Sequence, residues 1–107
     1  MSMPHGGSSW NSQVVVVGRR ALFKAAFVAN RGAAPFWMWV CDSATTGATA
    51  PTCVPVYVPS LTTQSLFMAD VPRQMVNGIY VCATTDPEVK TLIAANDAFF
   101  EVAYEDN

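Results

Sequence analysis

The stretch Pro35-Phe36-Trp37-Met38-Trp39-Val40-Cys41-Asp42 restricts the fold of this chain more than any other. Read as a strand, it places Phe36, Met38 and Val40 on one face and Trp37, Trp39 and Cys41 on the other, because side chains alternate along a strand. A strand with one wet face alternates apolar with polar residues, and this one does not. Both of its faces therefore need cover. One face can enter a core between two packed sheets. The second needs another layer, a terminal arm or another protein.

Composition bears on that choice. The chain has 107 residues, enough for one domain and too few for two independent cores. It is 51% hydrophobic and 13% charged, where a typical soluble domain carries about 25% charged residues. A small domain has much surface to cover, so few charges favour a surface that is itself buried in an assembly. No apolar run approaches the ~20 residues that a bilayer-spanning helix requires. The start, Met1-Ser2-Met3-Pro4-His5-Gly6-Gly7, has neither the positive region nor the long apolar region of a signal peptide. Net charge is −2 and the only adjacent basic pair is Arg19-Arg20, which argues against nucleic acid as a partner, since phosphate binding needs several converging cations. The three cysteines, Cys41, Cys53 and Cys82, are an odd number set in apolar segments. They read as thiols of a protein made and assembled in a cytoplasm. A Cys41–Cys53 bridge across a hairpin would require an oxidising environment.

The rest of the chain punctuates itself into short strands. Residues 1–13 have the Gly, Ser, Asn and Pro content of an arm, with Trp10 as its one large anchor. Residues 14–17 are a β-branched run. Residues 21–29 carry Phe23, Ala25, Phe27 and Ala29 at one parity and Leu22, Lys24, Ala26 and Val28 at the other. Ala, Leu and Lys also suit a helix, but no cap precedes the run and Asn30-Arg31-Gly32 ends it as a turn, so a strand is expected. Residues 35–42 then pair back on it as a hairpin. After a turn-rich loop over 43–52, residues 53–58 set Val54, Val56 and Val58 against Pro55 and Tyr57. The prolines mark an edge position. Further strands are expected over 63–69, 78–84, 89–93 and 98–104, with residues 71–74 a connection. The sum is an all-β fold, an antiparallel β-sandwich (jelly-roll-like or Ig-like) of about eight short strands over residues 14–107 behind an extended N-terminal arm, residues 1–13.

Side chains that do chemistry are sparse. His5 is the only histidine and lies in the arm, so no nucleophile–histidine pair can be built without folding the arm into a cleft. Three strand-borne cysteines lack the close paired spacing of a zinc site. Asp42, Asp70, Asp86 and Asp97 stand at strand ends, where carboxylates cap turns through backbone amides. No glycine-rich loop leads into a helix to cradle phosphate. The sequence thus offers no catalytic residue, metal site or cofactor site, and no enzyme is expected. Trp37 and Trp39 could stack on a sugar, but their neighbours are apolar where sugar hydroxyls would want polar partners, so packing is favoured.

Three segments carry a resemblance: Asn30-Arg31-Gly32-Ala33-Ala34 leading into a strand that ends Val40-Cys41-Asp42; Asn77-Gly78-Ile79-Tyr80-Val81-Cys82-Ala83-Thr84-Thr85; and Asp97-Ala98-Phe99-Phe100-Glu101-Val102-Ala103-Tyr104. Over residues 21–104 the chain resembles small all-β structural proteins of tailed bacteriophages, several of them head-decoration or cement proteins. The resemblance implies a β-sandwich, often a homotrimer, bound over junctions between major capsid protein subunits on the outer surface of the phage head. Its mechanism would be adhesive, burying apolar patches within polar rims. Candidate contacts are Trp10, Phe36, Trp37, Trp39, Tyr57 and Phe67, with Arg19, Arg20, Arg31 and Arg73 as candidate rim. A tail or fibre component binding a host surface, and a carbohydrate-binding sandwich, are the alternatives.

Overall fold

The computed structural model describes residues 2–6 (through their backbone), 10–68 and 71–106. Nine strands form two antiparallel sheets, with no helix among the described residues. They are β1 (Ser2–Gly6), β2 (Gln13–Val17), β3 (Ala21–Asn30), β4 (Phe36–Cys41), β5 (Val56–Val58), β6 (Thr63–Phe67), β7 (Arg73–Met75), β8 (Ile79–Thr84) and β9 (Ala98–Asp106). The first sheet runs β1-β9-β3-β6, with β7 sharing the far edge of β3. The second runs β2-β8-β4-β5. The core between them takes Phe23, Ala26 and Val28 from β3, Phe100, Val102 and Tyr104 from β9, Phe36, Met38 and Val40 from β4, and Ile79, Val81 and Ala83 from β8.

The sandwich expectation holds, while several local expectations give way. Residues 35–42 do not form a hairpin with 21–29: β4 lies in the second sheet, between β8 and β5. The reason lies in the turn. Asn30 is buried and spends its whole amide on the crossover, donating to the carbonyls of Ala34 (2.9 Å), Val58 (3.3 Å) and Pro59 (3.3 Å) and accepting from the Gly32 amide at 2.8 Å. That turn carries the chain from one sheet to the other, so an apolar-on-both-faces strand takes a central place. Residues 89–93 form no strand. Asp86 accepts from the amides of Glu88 (2.7 Å) and Val89 (2.9 Å), holding a turn there, and only an isolated bridge joins Leu92 to Thr84. Part of the expected connection 71–74 is strand β7. Residues 2–6 of the arm pair along β9 of their own chain. The end of the 63–69 strand at Ala69, Asp70, residues 7–9 of the arm and the His5 side chain lie outside the described residues.

Two positions show how the strand ends are fixed. Gly78 has φ of +152°, and a Cβ there would sit 2.4 Å from the Val17 carbonyl oxygen and 2.9 Å from that of Ser43. Only glycine fits that approach. Asp42, at the end of β4, accepts from the backbone amides of Val76 (3.0 Å), Asn77 (2.7 Å) and Gly78 (3.3 Å). A strand-end aspartate thus caps a turn, as its sequence position suggests, but a turn more than thirty residues away.

Candidate interaction surfaces

Each sheet has an outer face, and the two are finished differently. On the second sheet, Trp39, Cys41, Tyr80 and Cys82 form their own buried cluster, with Val15, Trp37, Ala48 and Leu92 packed against it. Ala48 comes from the β4–β5 loop and Leu92 from the β8–β9 loop, so the chain lays its own loops over this face. Lys90 ties them down: its ammonium lies 4.9 Å from the Tyr80 ring centroid and donates to the Thr46 carbonyl. Beneath, the Tyr80 hydroxyl donates to Gln13 Oε1 at 2.6 Å. Hydrogen bonding to Cys82, then burial, push the Cys41 thiol far above its ordinary value, while the same bond lowers Cys82. Burial first, then the neighbouring thiols, push Tyr80 up. Trp39 Nε1 is buried with no hydrogen-bond acceptor, a loss of about 1–3 kcal/mol that the packing around the indole must offset.

Against this geometry the sequence-derived contacts divide. Trp39 (0% exposed) and Phe36 (2%) are core residues and present nothing to a partner. Phe36 belongs to the inward parity of β4, and Trp39 is sealed by loops. Trp37 is half-buried against Tyr57, with ring centroids 5.1 Å apart, and Tyr57 is 48% exposed. Because Trp39 is covered, the two tryptophans make no platform on which a sugar could stack. The cover over Trp39 comes from these loops and not from the Trp10 arm. Trp10 lies on the other sheet, edge-on to Phe99 at 5.4 Å, with the Arg31 guanidinium 4.6 Å above its ring. Arg31 also donates to the Asn96 carbonyl at 3.0 Å and lies 3.8 Å from Asp97, so this residue pins the arm. Arg19 pairs with Asp106. Arg20 and Arg73 are exposed. Cys41 and Cys53 belong to different clusters and all three thiols are free, so the hairpin disulfide does not form.

Among the described residues, no loop forms such a buried cluster on the outer face of the first sheet. Phe67 is 61% exposed and meets Phe27 edge-on at 5.4 Å. Phe27, Ala29, Thr63, Phe99 and Glu101 line a shallow groove of about 180 Å³. Trp10 continues this surface past Phe99. The Arg31–Asp97 pair bounds the face at one end, and the Lys24–Glu105 pair (3.0 Å) crosses it between Leu22 and Phe67. Of its aromatic residues, sequence reasoning found Trp10 and Phe67 but missed Phe27 and Phe99. The signal for Phe99 was present, since it alternates with Phe100, Val102 and Tyr104. The signal for Phe27 was hidden by a bulge, because the β3–β9 register shifts between Phe23 and Ala25. An inserted residue turns every later side chain to the opposite face, so Phe23 points in and Phe27 points out.

A second pocket, about 240 Å³, opens at one end of the sandwich between Pro35, Phe36, Ile93, Ala94 and Asp97. It is mostly apolar, and no cluster of three or more metal-ligating side chains occurs among the described residues.

No protein-family model matches this sequence, and no curated protein matches it. Among solved structures the fold is similar to the coat protein of Tobacco streak virus. One crystal form aligns with a TM-score of 0.51 at 8% identity, covering 98% of this chain and 85% of that one. A structure described as the coat protein dimer aligns with a TM-score of 0.50 at 8% identity, covering 99% and 85%. At that identity the likeness is one of fold: a two-sheet all-β architecture shared along nearly the whole chain.

Proposed function

We propose that this chain is a non-enzymatic virion structural protein, a decoration or cement subunit on the outer surface of a tailed-phage head. It acts by adhesion, burying its uncovered aromatic face across a boundary between virion subunits, whether major capsid protein or copies of itself. The observation that carries this reading is the asymmetry of the two sheets. The chain spends two loops on covering one outer face, and no described loop covers Phe27, Phe67 and Phe99 on the other. An exposed aromatic, Phe67, beside the half-buried Phe27 and Phe99 and within a polar rim is what a protein interface looks like. Two further points support it: the low charge of the whole chain, and a fold similar to a viral coat protein.

The test is particle occupancy. Native particles stripped of the protein and re-incubated with a Phe27→Ser, Phe67→Ser double variant should recover far less of it than with the wild type. Full recovery would overturn the reading. Counting copies on the same particles by cryo-electron microscopy separates head from tail, because a shell subunit is present in numbers set by the capsid lattice and a fibre component in numbers set by the tail.

A further inference from the structure

The uncovered face carries one feature that restricts its partner. Glu101 is exposed in the groove between Phe27 and Phe99, and among the described residues no hydrogen bond or ion pair engages its side chain. An apolar partner laid over that groove would strip water from an unpaired carboxylate with nothing to offset the loss. The partner must therefore bring a cation to this spot. A cation is doubly suited there, since it would meet aromatic rings as well as the carboxylate.

The chain itself presents such a cation on the same face. Most of its basic side chains are engaged: Arg19 on Asp106, Lys24 on Glu105, Arg31 on Asp97 and Trp10, and Lys90 on Thr46 and Tyr80. Arg20 is exposed, with no hydrogen bond or ion pair among the described residues. Alternation carried back from Leu22 and Lys24 puts it on the outer side of the first sheet. Within one molecule the two cannot meet. Glu101 is paired across from Phe27, seven residues along β3 from Arg20, which is roughly 23 Å.

Resting on the adhesive reading above, we infer that the partner of this face is a second copy of the chain, docked face to face about a two-fold axis. Arg20 of each copy enters the groove of Phe27, Phe99 and Glu101 of the other. Two copies of one face, turned end for end, satisfy both ion pairs at once and close the assembly. Phe67 and Leu22 fall between the two pairs and supply apolar area, with the Lys24–Glu105 ion pair of each copy between them. The assembly closes at two, where the phage resemblance implies three.

Sedimentation equilibrium of the purified full chain tests this. The wild type should dimerise, and Arg20→Glu or Glu101→Arg alone should each weaken the dimer by about ten- to a hundredfold. The Arg20→Glu, Glu101→Arg double variant should recover most of that loss, because the pair is re-formed with its signs exchanged. Both positions are exposed, and unchanged thermal unfolding of the single variants shows that folding is not what was lost. A wild type that stays monomeric, closes at three, or dimerises without regard to either substitution overturns the two-fold contact. Binding of the same proteins to stripped particles is scored separately, so a monomer that still decorates them would sink this inference and leave the adhesive function standing.

Discussion

The outer faces of the two sheets start from similar sequence and end differently. Each contributes large aromatics: Trp37, Trp39 and Tyr80 on one, Phe27, Phe67 and Phe99 on the other. The first set is packed within the chain against the loops carrying Ala48 and Leu92, the second against nothing comparable among the described residues. The difference is one of connections. Two long loops, β4–β5 and β8–β9, leave the second sheet and fold back over it, and none of the described connections does the same for the outer side of β3 and β9. Hydrophobicity alone does not distinguish an internal layer from an interface. Which loops pass over it does.

Breaking the covered face should cost the most. Trp39→Ala removes a fully buried indole from a small second core, and large aromatic truncations of this kind cost about 3–5 kcal/mol. Urea unfolding should show the midpoint fall accordingly, in a domain whose whole stability is of order 5–15 kcal/mol. Trp39→Phe sharpens the point. It leaves a smaller cavity and removes the orphaned Nε1, so its loss should be well under half that of the alanine variant. Both variants delete the nitrogen, so equal losses would mean that the volume the ring fills at this site does not matter.

The crossover that places β4 in the second sheet comes next. Asn30→Ala deletes four hydrogen bonds and leaves the buried Val58 carbonyl without this donor. A loss of about 2–3 kcal/mol is expected, and Asn30→Asp, which keeps the acceptor and loses the donor, should recover only a little of it. The covered face should also announce itself through pH. Cys41 and Tyr80 hold their protons more firmly folded than at their ordinary values of 9.0 and 10.0. Such groups contribute stability that is fully present below the unfolded pKa and lost as pH rises, because the unfolded chain releases protons that the native state keeps. Stability should therefore fall from about pH 9 upward. Tyr80→Phe should flatten that fall, and an unchanged slope would show that the tyrosine is not what drives it.

How much of this could be read in the sequence follows from which interactions are local. Alternation found the strands β4, β8 and β9, and it grouped Phe36, Met38 and Val40 on one face and Phe100, Val102 and Tyr104 on one face, because β4 and β9 keep strict period two. It did not keep Phe36 out of the candidate contacts. Strand β3 breaks period two at its bulge, and nothing in Phe23-Lys24-Ala25-Ala26-Phe27 declares which residue is the extra one. Its outward residues, and with them half of the candidate surface, were therefore out of reach. The hairpin expectation failed for a related reason. The turn signal in Asn30-Arg31-Gly32 is local, but the carbonyls that Asn30 binds at Val58 and Pro59 are not. The cover over Trp39 was likewise invisible, since a loop's composition does not say which surface it will lie on.

The uncovered face should yield the smallest change in stability. Phe67 is 61% exposed and its main contact is the edge of Phe27. An exposed aromatic pair of this kind contributes about 0.5–1.5 kcal/mol, and exposing Phe67 to water also carries a cost that serine removes. Phe67→Ser should therefore move the urea midpoint by less than about 1 kcal/mol, close to the scatter of ordinary surface substitutions. Placed beside Trp39→Ala, it separates two kinds of aromatic in one molecule. One holds the subunit together and the other is left for contact with another molecule. A loss of 3 kcal/mol or more at Phe67 would mean that this face is a structural layer after all, and the distinction between the two sheets would collapse.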